Sequence, residues 1–275
     1  MTDELAGVVL AAGAGSRLSP LSRWRPKALC PVGAVPLVDL ALARVAGCVG
    51  EVAVNLHHGA DQLEAHLAAT HGDAVHRSRE EPEALGTAGA LGALAPWIDG
   101  RPVLVTNADA WLGPGIVDAV ERLVAGWDGV RHRLLCVRDP ARGDFGDLRY
   151  CGVALLPAGA VAALRAVPSG LYEVAWRAAL AAGELDVVEA TVPFVDCGTP
   201  ADYLAANLAA SGGRSVVDGR ARLGRGAVLE RCVVWDGAEV RPGERLVDAV
   251  RTSHGTVLVR PTAPRGLPAT EGDVP

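Results

Sequence analysis

The stretch Gly7-Val8-Val9-Leu10-Ala11-Ala12-Gly13-Ala14-Gly15-Ser16-Arg17-Leu18-Ser19-Pro20-Leu21, with Arg25-Pro26-Lys27-Ala28-Leu29 close behind it, decides how the chain reads. An apolar run rich in β-branched residues breaks at glycines. Such a run suits a strand covered on both faces, and glycines directly after a strand let backbone N–H groups approach an anion closely. Arg17 adds a planar fork suited to phosphate oxygens. A glycine turn after a first strand is common by itself, whereas one followed by Arg17 and, ten residues later, Lys27 points to a polyphosphate guest. The third glycine of the dinucleotide-binding fingerprint is not in place, so a nicotinamide cofactor is disfavoured.

Outward from this turn, short β-branched runs alternate with alanine- and leucine-rich stretches at helical spacing, the signature of a layered α/β sheet. Strands are expected over 7–11, 51–55, 74–77, 102–106, 133–137, 150–156 and 186–191, and helices over 37–46, 60–70, 87–94, 115–125, 159–165, 171–182 and 200–210. The last helix has Thr199 placed as N-cap and Pro200 in its first turn. After Ser211-Gly212-Gly213 the texture changes. Leu223, Leu229, Val240 and Leu246 recur with glycines between them at roughly a six-residue period, shortened by one residue near Trp235. Hexapeptide periodicity predicts a short left-handed β-helix-like segment of about two coils; an irregular hairpin tail is the alternative. So short a segment must bury its face on the main domain or on a second copy in a homo-oligomer. The expected units are 1–211, 212–262 and a flexible tail over 263–275.

Half of the 275 residues are hydrophobic, enough for a full core, and no apolar run approaches the length of a membrane span. The N-terminus, with Asp3 and Glu4, does not read as a secretion signal, so a cytoplasmic location is expected. A net charge of −6 leaves no broad basic surface and argues against nucleic acid as a partner. The six cysteines are widely spaced, which disfavours a zinc knuckle or a disulfide framework. Lys27 is the single lysine against 25 arginines. Codon bias accounts for the arginines but not for where the lysine stands. A compact ammonium fits a crowded site beside a reacting phosphate where a guanidinium does not.

Two more segments carry carboxylates. Val103-Leu104-Val105-Thr106-Asn107-Ala108-Asp109 is an apolar strand ending in an aspartate, at the strand end where open α/β sheets gather their ligands. Pro193-Phe194-Val195-Asp196-Cys197-Gly198-Thr199-Pro200 offers a second. Each aspartate alone also suits a turn or a cap.

On Gly13, Gly15, Ser16, Arg17, Pro20, Leu21, Pro26, Lys27 and Leu29, and on Asp196 before Gly198-Thr199-Pro200, the chain resembles the sugar-phosphate nucleotidyltransferases, or sugar-nucleotide pyrophosphorylases. The resemblance covers roughly residues 5–210. It implies a Rossmann-like, mixed but mostly parallel sheet flanked by helices, of the nucleotide-diphospho-sugar transferase type. It also implies a reaction in which a sugar 1-phosphate attacks the α-phosphorus of a nucleoside triphosphate and pyrophosphate leaves. Arg17, Lys27 and Asp109 then take catalytic roles, Asp109 and Asp196 hold Mg²⁺, and Ala11, Ala12, Gly13, Gly15, Ser16, Arg17, Gly86 and Thr87 bind the nucleotide. The segment 80–89 resembles the base-reading loop of mannose 1-phosphate guanylyltransferases. Glu81 either accepts from guanine there, which leans the substrates toward GTP with mannose or heptose 1-phosphate, or belongs to a solvated acidic turn. Tyr150, Gly152 and Glu173 fall at the sugar-phosphate side. Many relatives have a second lysine before that strand; here the basic residues are arginines, and Arg138 or Arg142 is the expected replacement. His57 and His58 suit loop or packing positions better than metal ligation. Uridylyl transfer to an amino-sugar phosphate such as N-acetylmuramate 1-phosphate is the rival within the enzyme class, and a non-catalytic nucleotide-sugar-binding regulator is the rival outside it.

Overall fold

The computed structural model describes residues 4–259 of the chain. The proline- and glycine-rich end from Pro261 onward, expected as a tail, lies outside the described residues.

A seven-stranded sheet forms the centre. Its strands are β1 (Ala6–Leu10), β2 (Glu51–Leu56), β3 (Val75–Arg79), β4 (Val103–Asn107), β5 (His132–Arg138), β6 (Leu148–Leu156) and β7 (Leu185–Glu189). Their spatial order is β7-β5-β6-β4-β1-β2-β3. All neighbours run parallel except at β6, which is antiparallel to both β4 and β5. The mixed, mostly parallel sheet expected from the sequence is therefore the one formed. The larger helices are α1 (Leu37–Val45), α2 (Ala60–His71), α3 (Gly86–Ala93), α4 (Ile116–Val124) and α5 (Pro200–Ala210). The stretch expected as a helix over 171–182 opens with five residues of π-helix, Tyr172–Trp176.

Period-two alternation sends side chains to two cores. From β4, Val103 and Val105 join α3 on one face, while Leu104 packs with α4 on the other. From β6, Ala154 and Leu156 join the first core and Val153 and Leu155 the second. On the second face α1 and α2 pack over β1 and β2 through Val38, Ala41, Leu42, Leu63 and Leu67. Each buried valine or leucine among them contributes about 1.5–3 kcal/mol of burial, which is why the sandwiched strands read as continuous apolar runs.

Beyond α5, strands pair in parallel at a constant offset of 17 residues: Val216 with Val233, Arg222 with Glu239, and Val228 with Arg245. This is the β-helix-like pattern foreseen, with six-residue steps and one step of five. The segment closes on an antiparallel strand, Gly255–Leu258. It docks on its own chain, where Val233, Trp235 and Val250 share a core with Leu18, Leu21, Trp111, Val195, Tyr203 and Leu204. Trp235 donates through Nε1 to the Tyr203 hydroxyl at 2.9 Å, and Arg25 reaches Asp236 at 2.6 Å while lying over the Trp235 ring. The C-terminal segment thus braces the loop that leads into Lys27.

Candidate active site

The chain order places β2 and β3 on one side of β1 and β4 on the other, which opens a crevice at the carboxyl ends of these strands. A chain of buried hydrogen bonds shapes its wall. Ala11 N–H donates to Asn55 Oδ1 at 2.6 Å, Asn55 Nδ2 donates to Glu80 Oε1 at 2.7 Å, and Leu85 N–H donates to Glu80 Oε2 at 2.7 Å. Both oxygens of the buried Glu80 are thereby used to hold the 80–87 loop against the end of β1. At the turn after β1, Gly15 has φ 58°, and a Cβ there would come within 2.9 Å of Lys27 Cβ. Glycine at this point serves both the backbone conformation and the approach of the lysine stem. The resulting cleft, about 290 Å³, is lined by Ala11, Ala12, Gly13, Gly15, Ser16, Arg17, Lys27, Gly86, Thr87 and Asp109 among others. Glu81 is not in this lining. Its side chain is 71% exposed and turns toward Arg79 at 3.8 Å. Of the adjacent carboxylates it is Glu80 that faces inward, and as a structural tie.

Two carboxylates remote in sequence meet at the floor because three-residue strands bring them there. Ala110–Leu112 pairs antiparallel with Phe194–Asp196, with Asp196 opposite Ala110, and Cys197 N–H donates to the Asp109 carbonyl at 3.2 Å. Lys27 Nζ lies 3.1 Å from Asp109 Oδ2 and 3.4 Å from Asp196 Oδ1. Burial by itself would lower the Lys27 amine; Asp109 and then Asp196 outweigh it and hold the pKa above the ordinary lysine value. Arg17, largely exposed, reaches Asp196 at 3.7 Å. Of the four groups expected from the sequence to surround one phosphorus, Arg17, Lys27 and Asp109 line this cleft, and Asp196, which contacts Lys27 and Arg17, lines the smaller cleft beside it.

Beneath them lies a cation not foreseen. Arg44 of α1 is buried and donates to Thr106 Oγ1 at 2.7 Å and to the carbonyls of Asn107 at 3.2 Å and Ala110 at 3.3 Å. It grips the backbone on both sides of Asp109. Burial is the main influence on this guanidinium and lowers its pKa to about 10.

A second, smaller cleft of about 200 Å³ adjoins the first and shares Asn107 and Asp109 with it. Its other walls include Asp144, Arg149, Tyr150, Gly152, Phe194 and Asp196. It opens where the pairing of β5 with β6 shifts between Leu135 and Cys136, so that Val153 faces Leu135 but Tyr150 faces Cys136. The irregularity lifts Cys151 and Gly152 out of the ladder. Gly152 takes φ 88°, and a Cβ there would press on Asn107 at 3.2 Å. Tyr150 and Gly152, expected at the sugar-phosphate side, both line this cleft. Glu173 lines neither cleft; it is exposed and folds back over Gly170. Arg138 and Arg142 also turn away, to Asp147 and Asp139. The arginine in this cleft is Arg149. It is held at 3.5 Å from Asp139 and 3.9 Å from Asp196, with its guanidinium 4.9 Å over the Phe194 ring.

The family model described as Nucleotidyl transferase matches residues 6–146. An N-acetylmuramate alpha-1-phosphate uridylyltransferase from Caulobacter vibrioides is 38% identical over 129 residues, which is 45% of this chain and 53% of that protein. The chain therefore spans about half the length of that relative. A mannose-1-phosphate guanylyltransferase from Mycobacterium tuberculosis is 26% identical across 94% of this chain and 84% of its own length. Among solved structures, one described as mannose-1-phosphate geranyltransferase from Thermus thermophilus superposes with TM-score 0.69 and 20% identity over 93% of this chain and 95% of that one, a likeness of fold. Among the described residues no helix is long and apolar enough to cross a membrane.

Proposed function

We infer that this chain, which belongs to the nucleotidyl transferase family, joins a nucleoside triphosphate to a sugar 1-phosphate and releases pyrophosphate. The observation that carries the reading is the pair of clefts that share Asn107 and Asp109, with Lys27 and Asp196 at their junction. The larger takes the triphosphate along the Gly13–Ser16 turn, and the smaller takes the sugar phosphate under Arg149. An oxygen of the sugar phosphate then attacks the α-phosphorus as the bond to the β-phosphate oxygen breaks, and pyrophosphate leaves with that oxygen. The attacking group is already an anion near neutral pH, so the residues are asked to position and to neutralise charge. Lys27 is suited to this because its two carboxylate neighbours keep it protonated. Arg17, at the rim, is placed for the departing phosphates.

The oxygens of Asp109 and Asp196 converge on one ammonium, which shows that both face the same point. Two carboxylates completed by substrate phosphates form a donor set suited to Mg²⁺. When bound, the ion would shield the α-phosphate.

For the substrates we favour UTP with an N-acetylmuramate-type amino-sugar 1-phosphate. The leaning toward guanine rested on Glu81, which stands outside the cleft, and the Caulobacter relative acts on that pair by name. GTP with mannose 1-phosphate is the second reading, favoured by the Mycobacterium relative, which aligns through the C-terminal segment as well. Pyrophosphate release measured for each nucleoside triphosphate against a panel of sugar 1-phosphates decides between them. Release confined to UTP and the amino sugar supports the first reading, and release confined to GTP and mannose 1-phosphate establishes the second. No release with any pair, in the presence of Mg²⁺, overturns catalysis and leaves a nucleotide-sugar-binding protein.

A further inference from the structure

Away from both clefts, Asp39 in the first turn of α1 meets His66 and His71 of α2. His66 Nε2 lies 3.0 and 2.9 Å from the two Asp39 oxygens, and His71 Nε2 lies 2.9 Å from Oδ1. The three ligand atoms are all within 4.8 Å of one another, the one grouping of this kind among the described residues. The side chains are 17%, 24% and 27% exposed, so the cluster is half-sheltered with one side open to water.

We propose that Asp39, His66 and His71 form a structural site for a single divalent transition metal of the Zn²⁺ class, clipping α1 to α2. Two imidazole nitrogens and a carboxylate are a donor set for zinc, completed by water, and a poor one for Mg²⁺, which prefers oxygen alone. At bonds of about 2.0–2.1 Å, tetrahedral ligands stand roughly 3.3 Å apart, so each imidazole nitrogen needs to move from its Asp39 oxygen by only a few tenths of an ångström, and the two nitrogens lie within 4.8 Å of each other. Asp39 Oδ1 faces Nε2 of both rings, the nitrogen through which each neutral imidazole would hold an ion while keeping its proton on Nδ1. His71 is the last residue of α2 before Gly72 and His66 lies mid-helix, while Leu63 and Leu67 already pack with Val38, Ala41 and Leu42 of α1. The clip therefore closes the open end of an existing helix pair, and α1 is the helix whose Arg44 holds the Asp109 loop. The cysteines do not compete for the ion: all six are buried and free.

The test uses the untagged full chain with Mg²⁺ in large excess, so that the carboxylates of the cleft are masked, and titrates it with Zn²⁺ by calorimetry and with Co²⁺ by visible absorption. The expected result is one additional equivalent of zinc, a tetrahedral-type cobalt spectrum, and a melting temperature raised by zinc but not by further magnesium. His71→Gln, at a helix end, and His66→Gln should each weaken binding by more than the roughly 10–100-fold that loss of an outer-shell partner costs, and should abolish the cobalt spectrum. Zinc affinity unchanged in both variants overturns the proposal. So does a wild-type chain that neither binds zinc under excess magnesium nor gains stability from it, in which case Asp39 simply anchors two imidazoles.

Discussion

The two clefts share Asn107 and Asp109 yet are built by opposite means. The larger grows from the carboxyl ends of three parallel strands, β1, β2 and β4, and much of its lining, such as Leu10 to Gly13, Asn55 and Asn107 to Asp109, sits within or just beyond those strands. The smaller depends on an antiparallel strand that slips in register and on side chains drawn from 107 to 196. A cleft at parallel strand ends is a consequence of topology and tolerates change in detail. One that opens at a slipped register depends on each residue that holds the slip. The two walls should therefore answer differently to substitution.

The largest effect is expected where the walls meet. Lys27→Ala should lower kcat by about 10²–10³-fold, the loss that follows removal of one preorganised charge-stabilising donor, with both substrates affected alike. The fold should survive, because Asp109 and Asp196 are 50% and 28% exposed and stay solvated once the amine is gone. Arginine should not rescue it, since its stem would pass Gly15 as lysine's does but its planar guanidinium is bulkier than the ammonium held between Asp109 and Asp196 on a side chain only 8% exposed. Circular dichroism with pyrophosphate release checks both halves; full turnover in the variant removes Lys27 from the mechanism.

Arg149→Ala should separate the clefts. A hydrogen bond to a charged group is worth about 1.5–3 kcal/mol, or roughly 10–150-fold in binding, and it should fall on the KM for the sugar phosphate and leave the KM for the nucleotide near its original value. Equal changes in both constants would mean that Arg149 acts through Asp196 instead of on the acceptor. Arg44→Met touches the shared floor from below. It strands the Thr106 hydroxyl and two carbonyls, so it should cost about 1–3 kcal/mol of stability for a buried group left unpaired. It should also lower kcat about tenfold with little change in either KM, and raise the Mg²⁺ concentration needed for half-maximal rate. Arg44→Lys should recover part of this. A kcat that follows stability alone, with the Mg²⁺ requirement unmoved, reduces Arg44 to packing.

The same contrast explains what could be read in advance. The glycine turn, Lys27, Asp109 and the Thr199 cap, whose side chain accepts from Asp202 N–H, each depend on near neighbours in sequence, so local chemistry reveals them. That Asp109 and Asp196 meet depends on two strands of three residues, too short to leave a periodic trace. Resemblance supplied that pairing. Arg149 was passed over for Arg138 and Arg142 because only the slip between Leu135 and Cys136 decides which arginine faces the cleft. Glu80 and Glu81 follow directly on the end of β3, one buried and one exposed, and composition gives no means of choosing between them. Arg44 sits on a helix face that any apolar residue would also fit, and only the carbonyls opposite it explain its charge.

The halves of the sheet differ in one more respect, which yields the smallest effect. Of the six side-chain nitrogens buried without a partner among the described residues, four, His132 Nδ1, Arg131 Nε, Arg133 Nε and Trp176 Nε1, lie on or beside β5 and β7, and the other two, Arg44 Nε and Arg251 Nε, lie elsewhere. His132, at the start of β5 and 6% exposed, is held below the usual histidine pKa by burial, with Glu184 opposing only in part. A depressed pKa in the folded state means that the unfolded chain binds the proton first. Stability is then complete above the unfolded value near 6.5 and is lost as pH falls through the folded one, by at most about 1.4 kcal/mol per pH unit for a single group. Melting temperature should fall between pH 7 and pH 5 with a steeper slope in the native chain than in His132→Gln. Amide exchange in acid should rise first in β5 and β7, while β1 and β2 stay protected. Equal slopes in the two chains, or exchange that rises evenly across the sheet, would show that the acceptor half is no more weakly held than the nucleotide half.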